Sequence, residues 1–182
     1  MKKGLKTLLM CALVFTVFVC TGCEKDPAAS FKNPKTIEYK TEKGTTKLTY
    51  DDDGTYEEEK SGNYVILRNR DNNFRIDIDY AKNTVEQQEK AKENFSKSSN
   101  YTIIDNVEFN KYKGYIMIDN KYATAIAYLY LDKENDVVSY IKVSPIKSTD
   151  AMKEIENGKK AEEILYNQEK VQQILKTVKF EK

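Results

Sequence analysis

The stretch Phe74-Arg75-Ile76-Asp77-Ile78-Asp79-Tyr80 constrains the fold of this chain most, because every second residue is apolar and the ones between are charged. Side chains alternate across a strand, so this pattern is satisfied by a sheet with one buried face and one polar face. The same period of two is present in Ile37/Tyr39 and Leu48/Tyr50, and Tyr64-Val65-Ile66-Leu67 is a short apolar run of strand length.

The pattern then changes. Asn83-Thr84-Val85-Glu86 reads as an N-cap with a carboxylate three residues on, and Ala81, Val85, Ala91 and Phe95 fall within a third of the helical circumference. A helix over 84–97 is predicted. Strands resume at Tyr101-Thr102-Ile103-Ile104, Tyr115-Ile116-Met117-Ile118, Tyr122 to Leu131 and Val137 to Val143, and Pro145 ends them. Asp119-Asn120 and Lys133-Glu134-Asn135 supply turns for an antiparallel meander. Ser148-Thr149-Asp150 is expected to cap a helical turn that Asn157-Gly158 interrupts. A longer helix should carry Ile164, Val171, Ile174, Leu175 and Val178 on one side, with Phe180 closing the domain. Runs of antiparallel strands with helices added predict an α+β fold, an antiparallel sheet with helices packed on it, in a single domain over 35–182.

Ahead of that domain stands Met1-Lys2-Lys3-Gly4-Leu5-Lys6, an apolar run from Leu8 to Val19, and Cys20-Thr21-Gly22-Cys23. A basic start, an apolar run shorter than the roughly 20 residues needed to span a bilayer, and small residues at a junction read as a signal peptide over 1–22. The junction resembles the lipobox of bacterial lipoproteins, with Thr21 and Gly22 as the small residues and Cys23 as the modified cysteine; Cys20 stands where an aliphatic residue is usual. The resemblance implies a diacylglyceryl thioether on Cys23, a membrane lipid partner, and a place on the extracytoplasmic face of the cell membrane. Residues 23–34, with Glu24-Lys25-Asp26-Pro27, read as the lipidated cysteine and a tether. The three cysteines are Cys11, Cys20 and Cys23, so after cleavage one cysteine remains and no disulfide or thiolate metal site can form within the mature chain.

The mature layout resembles the PsbP-like family over roughly 35–182. The features that carry the likeness are helix 84–97 entering Tyr101, the Lys113-Gly114-Tyr115-Ile116 step and the ending Ile174-Leu175-Lys176-Thr177-Val178-Lys179-Phe180. The resemblance implies an αβα sandwich and binding or assembly work at a membrane, without shared catalytic residues.

Composition narrows the function classes. The chain has no His, the commonest general acid–base residue and metal ligand. Of its 30 basic residues, Lys2, Lys3 and Lys6 leave with the leader, and the remaining 27 alternate with 29 acidic ones, which gives no case for nucleic acid. Asp51-Asp52-Asp53-Gly54-Thr55-Tyr56-Glu57-Glu58-Glu59 is the densest acidic stretch. With Gly54 as the sixth position of an EF-hand loop the twelfth is Lys60, where a bidentate Glu is needed, so a tight hairpin turn at Asp53-Gly54 is favoured over a calcium site. Asp77 and Asp79 share a strand face roughly 7 Å apart, a spacing a glycosidase could use, but Arg75 shares it and a charged outer face is expected. Ser144-Pro145-Ile146-Lys147 matches Ser-x-x-Lys without its companion motifs. Tyr122, Tyr128 and Tyr130 are assigned to one strand and expected to pack a sheet surface. No catalytic residue, metal site or cofactor is assigned. The expected function is a membrane-anchored, non-enzymatic module that binds or assembles with an envelope protein; the alternative is a lipoprotein binding a small molecule, ion or cell-wall fragment.

Overall fold

The computed structural model describes residues 26–61 and 64–182. Two antiparallel sheets and four short helices are formed among them, so the fold is α+β as expected, with two sheets where one was predicted. In the smaller sheet β1 (Pro34–Thr41) and β2 (Gly44–Asp51) form a hairpin, with Ile37 opposite Leu48 and Tyr39 opposite Thr46. The chain then turns a corner and starts the larger sheet with β3 (Tyr56–Ser61), β4 (Tyr64–Asn69) and β5 (Phe74–Tyr80). Helix α1 (Val85–Ser96) leads to β6 (Tyr101–Phe109), β7 (Tyr112–Asp119), β8 (Thr124–Asp132) and β9 (Val137–Pro145). Their spatial order is β3-β4-β5-β9-β8-β7-β6, so two meanders are joined where β5 pairs with β9. After α2 (Ser148–Glu156), α3 (Ala161–Ile164) and α4 (Glu169–Lys176), the short β10 (Lys179–Glu181) returns to β2 and completes the smaller sheet.

Alternation decides the layers. One face of the large sheet carries Leu67, Ile76, Ile78, Ile116, Leu129 and Ile141. All are buried in one cluster with Ile37 and Leu48 of the small sheet and with Ala151, Ile164, Val171, Ile174 and Leu175 of α2, α3 and α4. The other face carries Tyr115, Met117, Ile126, Tyr128 and Val138, packed with Val85 and Phe95 of α1. β7 is buried on both faces, and Gly114 lets it run close to β8: a Cβ there would lie 1.9 Å from the Tyr128 carbonyl oxygen.

Several local expectations change. Asp53-Gly54 is not a hairpin turn, because β2 and β3 belong to different sheets; Gly54, at φ +85°, turns the corner between them. The α1 cap lies one residue later than expected: Thr84 accepts from the Gln87 amide while the Gln87 side chain accepts from the Thr84 amide. Lys147 occupies the N-cap of α2 without a side-chain hydrogen bond, so Ser148, Thr149 and Asp150 do not cap it. The single long C-terminal helix is two, separated at Leu165–Gln168. Gln168 Nε2 donates to the Ile164 carbonyl at 2.7 Å, and Gln172 Nε2 to the Tyr166 carbonyl at 2.6 Å, so side chains serve the carbonyls that the break leaves. Tyr122 lies in the turn before β8, not in the strand, and is 40% exposed.

Candidate binding trough on the large sheet

The outward-facing rows of the large sheet follow from its register. Arg75, Asp77 and Asp79 of β5 stand opposite Ser144, Lys142 and Tyr140 of β9, and Lys142 in turn stands opposite Ile126 of β8. Across the next pairing Ile126 faces Met117, and Tyr128 faces Tyr115. An aromatic row therefore crosses three strands. Tyr115 and Tyr128 stack with centroids 5.0 Å apart, and Tyr128 meets Tyr140 edge-on at 5.7 Å.

Helix α1 covers one end of this row. Gln88, its one buried residue, donates to the Tyr115 hydroxyl, and the Tyr130 hydroxyl donates to Glu89. Lys92 bridges Glu89 at 2.7 Å and Asp105 at 3.1 Å while lying 5.7 Å from the Tyr115 ring centroid. Burial pushes the Tyr115 hydroxyl up to about 12, against a partly offsetting hydrogen bond from Gln88. Burial, reinforced by the Glu89 carboxylate, also raises Tyr130.

The other end of the row is open. Two hollows of about 480 Å³ each lie on this face, and the half-buried Tyr140 lines both. The first is also lined by Tyr101, Met117, Ile126, Lys142 and Ser144. The second is lined by Asp79, Lys82, Asn83, Gln88 and Tyr128. Together they make a trough beside α1 lined by side chains of β5, β6, β7, β8 and β9. Of these strands β5, β9, β8 and β7 have neighbours on both sides, so their backbone hydrogen-bonding groups serve the sheet, whereas β6, which brings Tyr101, is the edge strand.

The charges in the trough are unequally satisfied. Asp79 Oδ1 accepts from the Tyr39 hydroxyl and the Tyr80 amide, both at 2.7 Å. Asp119 Oδ1 accepts from the Lys121 and Tyr122 amides at 2.8 and 3.1 Å. Beside the first hollow, Arg75 holds Asp77 in an ion pair. Neither Lys142, half-buried, nor Lys82, exposed, has a carboxylate partner among the described residues. The Tyr140 hydroxyl is raised by burial, then by the nearby Asp77 and Asp79.

The other sequence candidates are dispersed. In the acidic stretch Asp51 accepts from the Asn33 amide, Asp52 pairs with Lys35 at 2.6 Å, Asp53 with Lys170 at 2.7 Å, and Glu57 with Arg70 at 2.8 Å. The Lys170 ammonium, with help from Thr55, holds the Asp53 carboxyl down at about 2. Among the described residues no group of three or more His, Cys, Asp or Glu is arranged to hold a metal ion. Asp77 and Asp79 share the outer face as expected, each with the partner given above. Ser144 lines the trough, whereas Lys147 is exposed, its backbone tied to Asn73, and the two side chains are not joined. Tyr128 and Tyr130 pack the sheet surface. Tyr140 and Lys142, which sequence reasoning did not single out, were legible only as alternate members of the strand from Val137 to Val143. Cys23 lies outside the described residues. Within them no helix is long and apolar enough to cross a membrane.

No family model, no curated protein and no solved structure matches the chain.

Proposed function

We propose that the chain is a lipid-anchored envelope lipoprotein, held on the extracytoplasmic face of the cell membrane through Cys23, whose mature domain works by binding rather than catalysis. The anchor rests on the basic, apolar, Gly22-Cys23 order of the leader. The binding reading rests on one observation, the side-chain-lined trough centred on Tyr140. Concave sites of about 300–1,000 Å³ with a few convergent polar groups suit bound ligands, whereas flat exposed aromatic patches suit protein partners. Tyr122 is the one large hydrophobic residue exposed among the described residues. The geometry therefore favours the ligand-binding alternative over an assembly module with an envelope protein. Helices on both faces of the large sheet support the finer assignment to a PsbP-like αβα sandwich.

Replacing Cys23 by Ala should abolish incorporation of a clickable fatty acid and leave unprocessed precursor; undiminished label on that variant would defeat the anchor. For the trough, a photo-reactive amino acid at position 140 of the full chain in its native membrane should yield an adduct of defined mass. The same group at Lys176, an exposed residue of α4, should not. Equal adducts at both positions, or none at 140, would remove the trough as the binding site.

A further inference from the structure

Resting on the Cys23 anchor, we propose that the short link to that cysteine holds the outer face of the small sheet against the phospholipid headgroup layer and turns the trough away from the membrane. The chain leaves little slack between lipid and fold. Only Glu24 and Lys25 separate Cys23 from Asp26, and three Cα–Cα steps of about 3.8 Å reach about 11 Å. Asp26 is itself held: its carboxylate accepts from Lys179 Nζ at 2.9 Å and from the Ala28 amide at 3.0 Å, and it caps a 3₁₀ turn, Pro27–Ser30. Lys179 stands opposite Lys47, and Lys47 opposite Glu38, so the chain enters on the row that crosses β10, β2 and β1 on the side away from the core. The lipid-bearing residue is thereby confined to the neighbourhood of that outer face. The face suits headgroups rather than acyl chains, because Thr36, Glu38 and Lys40 of β1 and Thr45, Lys47 and Thr49 of β2 are all polar. Lys40 pairs with Glu38 at 2.9 Å, and Lys47 with Glu181 at 2.6 Å and Glu38 at 3.4 Å. Its charge is locally balanced, so the link and not attraction to anionic lipid sets the contact. The layers then decide which way the trough points. Ile37 and Leu48 of the small sheet share a core with Ile76 and Ile141 on one face of the large sheet, whereas α1 and the trough occupy the other. With layers stacked about 10 Å apart, a trough laid on the membrane would lift Asp26 roughly 20 Å above it, beyond the reach of the link. The trough therefore draws its occupant from the aqueous side, not from the bilayer that anchors the chain.

The test is fluorescence quenching of the lipidated full chain in vesicles of phosphatidylethanolamine and phosphatidylglycerol that carry a nitroxide on the headgroup. No cysteine follows Cys23, so a thiol introduced by Thr36→Cys, at an exposed site on the outer face, or by Asn94→Cys, at an exposed site on α1, takes the fluorophore alone. Quenching should be at least threefold stronger at position 36 than at position 94. A flexible twelve-residue Gly-Ser insertion between Lys25 and Asp26 should erase most of that contrast, whereas raised salt should leave it. The mass of the amino-terminal peptide, read before reconstitution, reports the lipid on Cys23. Its absence would overturn the anchor and this proposal with it. In protein that carries the lipid, equal quenching at both positions or stronger quenching at 94 would overturn the orientation and leave the anchor standing. A contrast that survives the insertion or collapses in salt would overturn the link as its cause. Weak quenching at 36 with energy transfer between labelled copies would put a second copy on the face instead. Protection of the position-36 thiol in native membranes but not in vesicles would put an envelope protein there.

Discussion

At the scale of single residues, the trough and its support depend on a few side chains with no substitute. Gly114 is the sharpest case, because a methyl group there would meet the Tyr128 carbonyl at 1.9 Å and Leu129 Cα at 2.9 Å, both backbone atoms that cannot rotate away. Overpacking of this kind costs typically 1–3 kcal/mol, and a backbone clash belongs at the upper end. Gly114→Ala should therefore lower stability by about 3 kcal/mol in urea unfolding. A change within about 0.5 kcal/mol would show that β7 and β8 are not packed this closely. The step Lys113-Gly114-Tyr115 was visible in the sequence. That its glycine serves the neighbouring strand was not, since the contact joins residues from different strands.

Among the elements, α1 should be the least firmly held over the trough. Its buried contact is the amide of Gln88 rather than a row of aliphatic residues, and Val85 and Phe95 are only partly buried. Removing that amide leaves the buried Tyr115 hydroxyl without its donor, a loss of about 1–3 kcal/mol. Thr84→Ala, which breaks the capping box, should cost about 1 kcal/mol. In hydrogen exchange the amides of α1 should open well before those of β7, β8 and β9, and Gln88→Ala should speed α1 selectively. Uniform exchange across helix and strands would contradict a separately opening α1. The helix itself was legible from its apolar period. Its capping residue and polar anchor were not, because Thr84 and Asn83 are both competent caps and the partner of Gln88 lies 27 residues away.

For the whole molecule, stability should respond to alkali through its buried tyrosines. Tyr50, Tyr115, Tyr128 and Tyr130 all ionise less readily than free tyrosine, chiefly because burial disfavours the phenolate, with Tyr115 up to about 12. Their folded values lie above the unfolded one. The contribution to stability is therefore complete below about pH 10, where unfolded tyrosine titrates, and is lost as pH rises through the folded values. Tyrosinate absorbance should thus include a late step, coincident with loss of β-sheet circular dichroism, from these four rings. Full titration of every tyrosine near pH 10, with the fold intact, would refute the buried aromatic row. All three cysteines precede residue 26, so residues 31–182 should also melt in one transition indifferent to reductant. Separated transitions would divide the domain.

A period of two is a local property that each segment carries alone, so the strand-rich α+β class, most strand positions and the charged outer face of β5 were legible before any folding. So was the Cys23 junction. The division of the strands between two sheets, the corner at Asp53-Gly54 and the two helices within residues 161–176 came from long-range packing. It alone brought Tyr140 and Lys142 beside Tyr101 and Met117. Strand order and the position of α1 depend on pairings between residues distant in the chain, such as Ile76 with Val143, which no local pattern encodes. The trough exists because α1 covers only part of a face whose alternation reads the same whether covered or open.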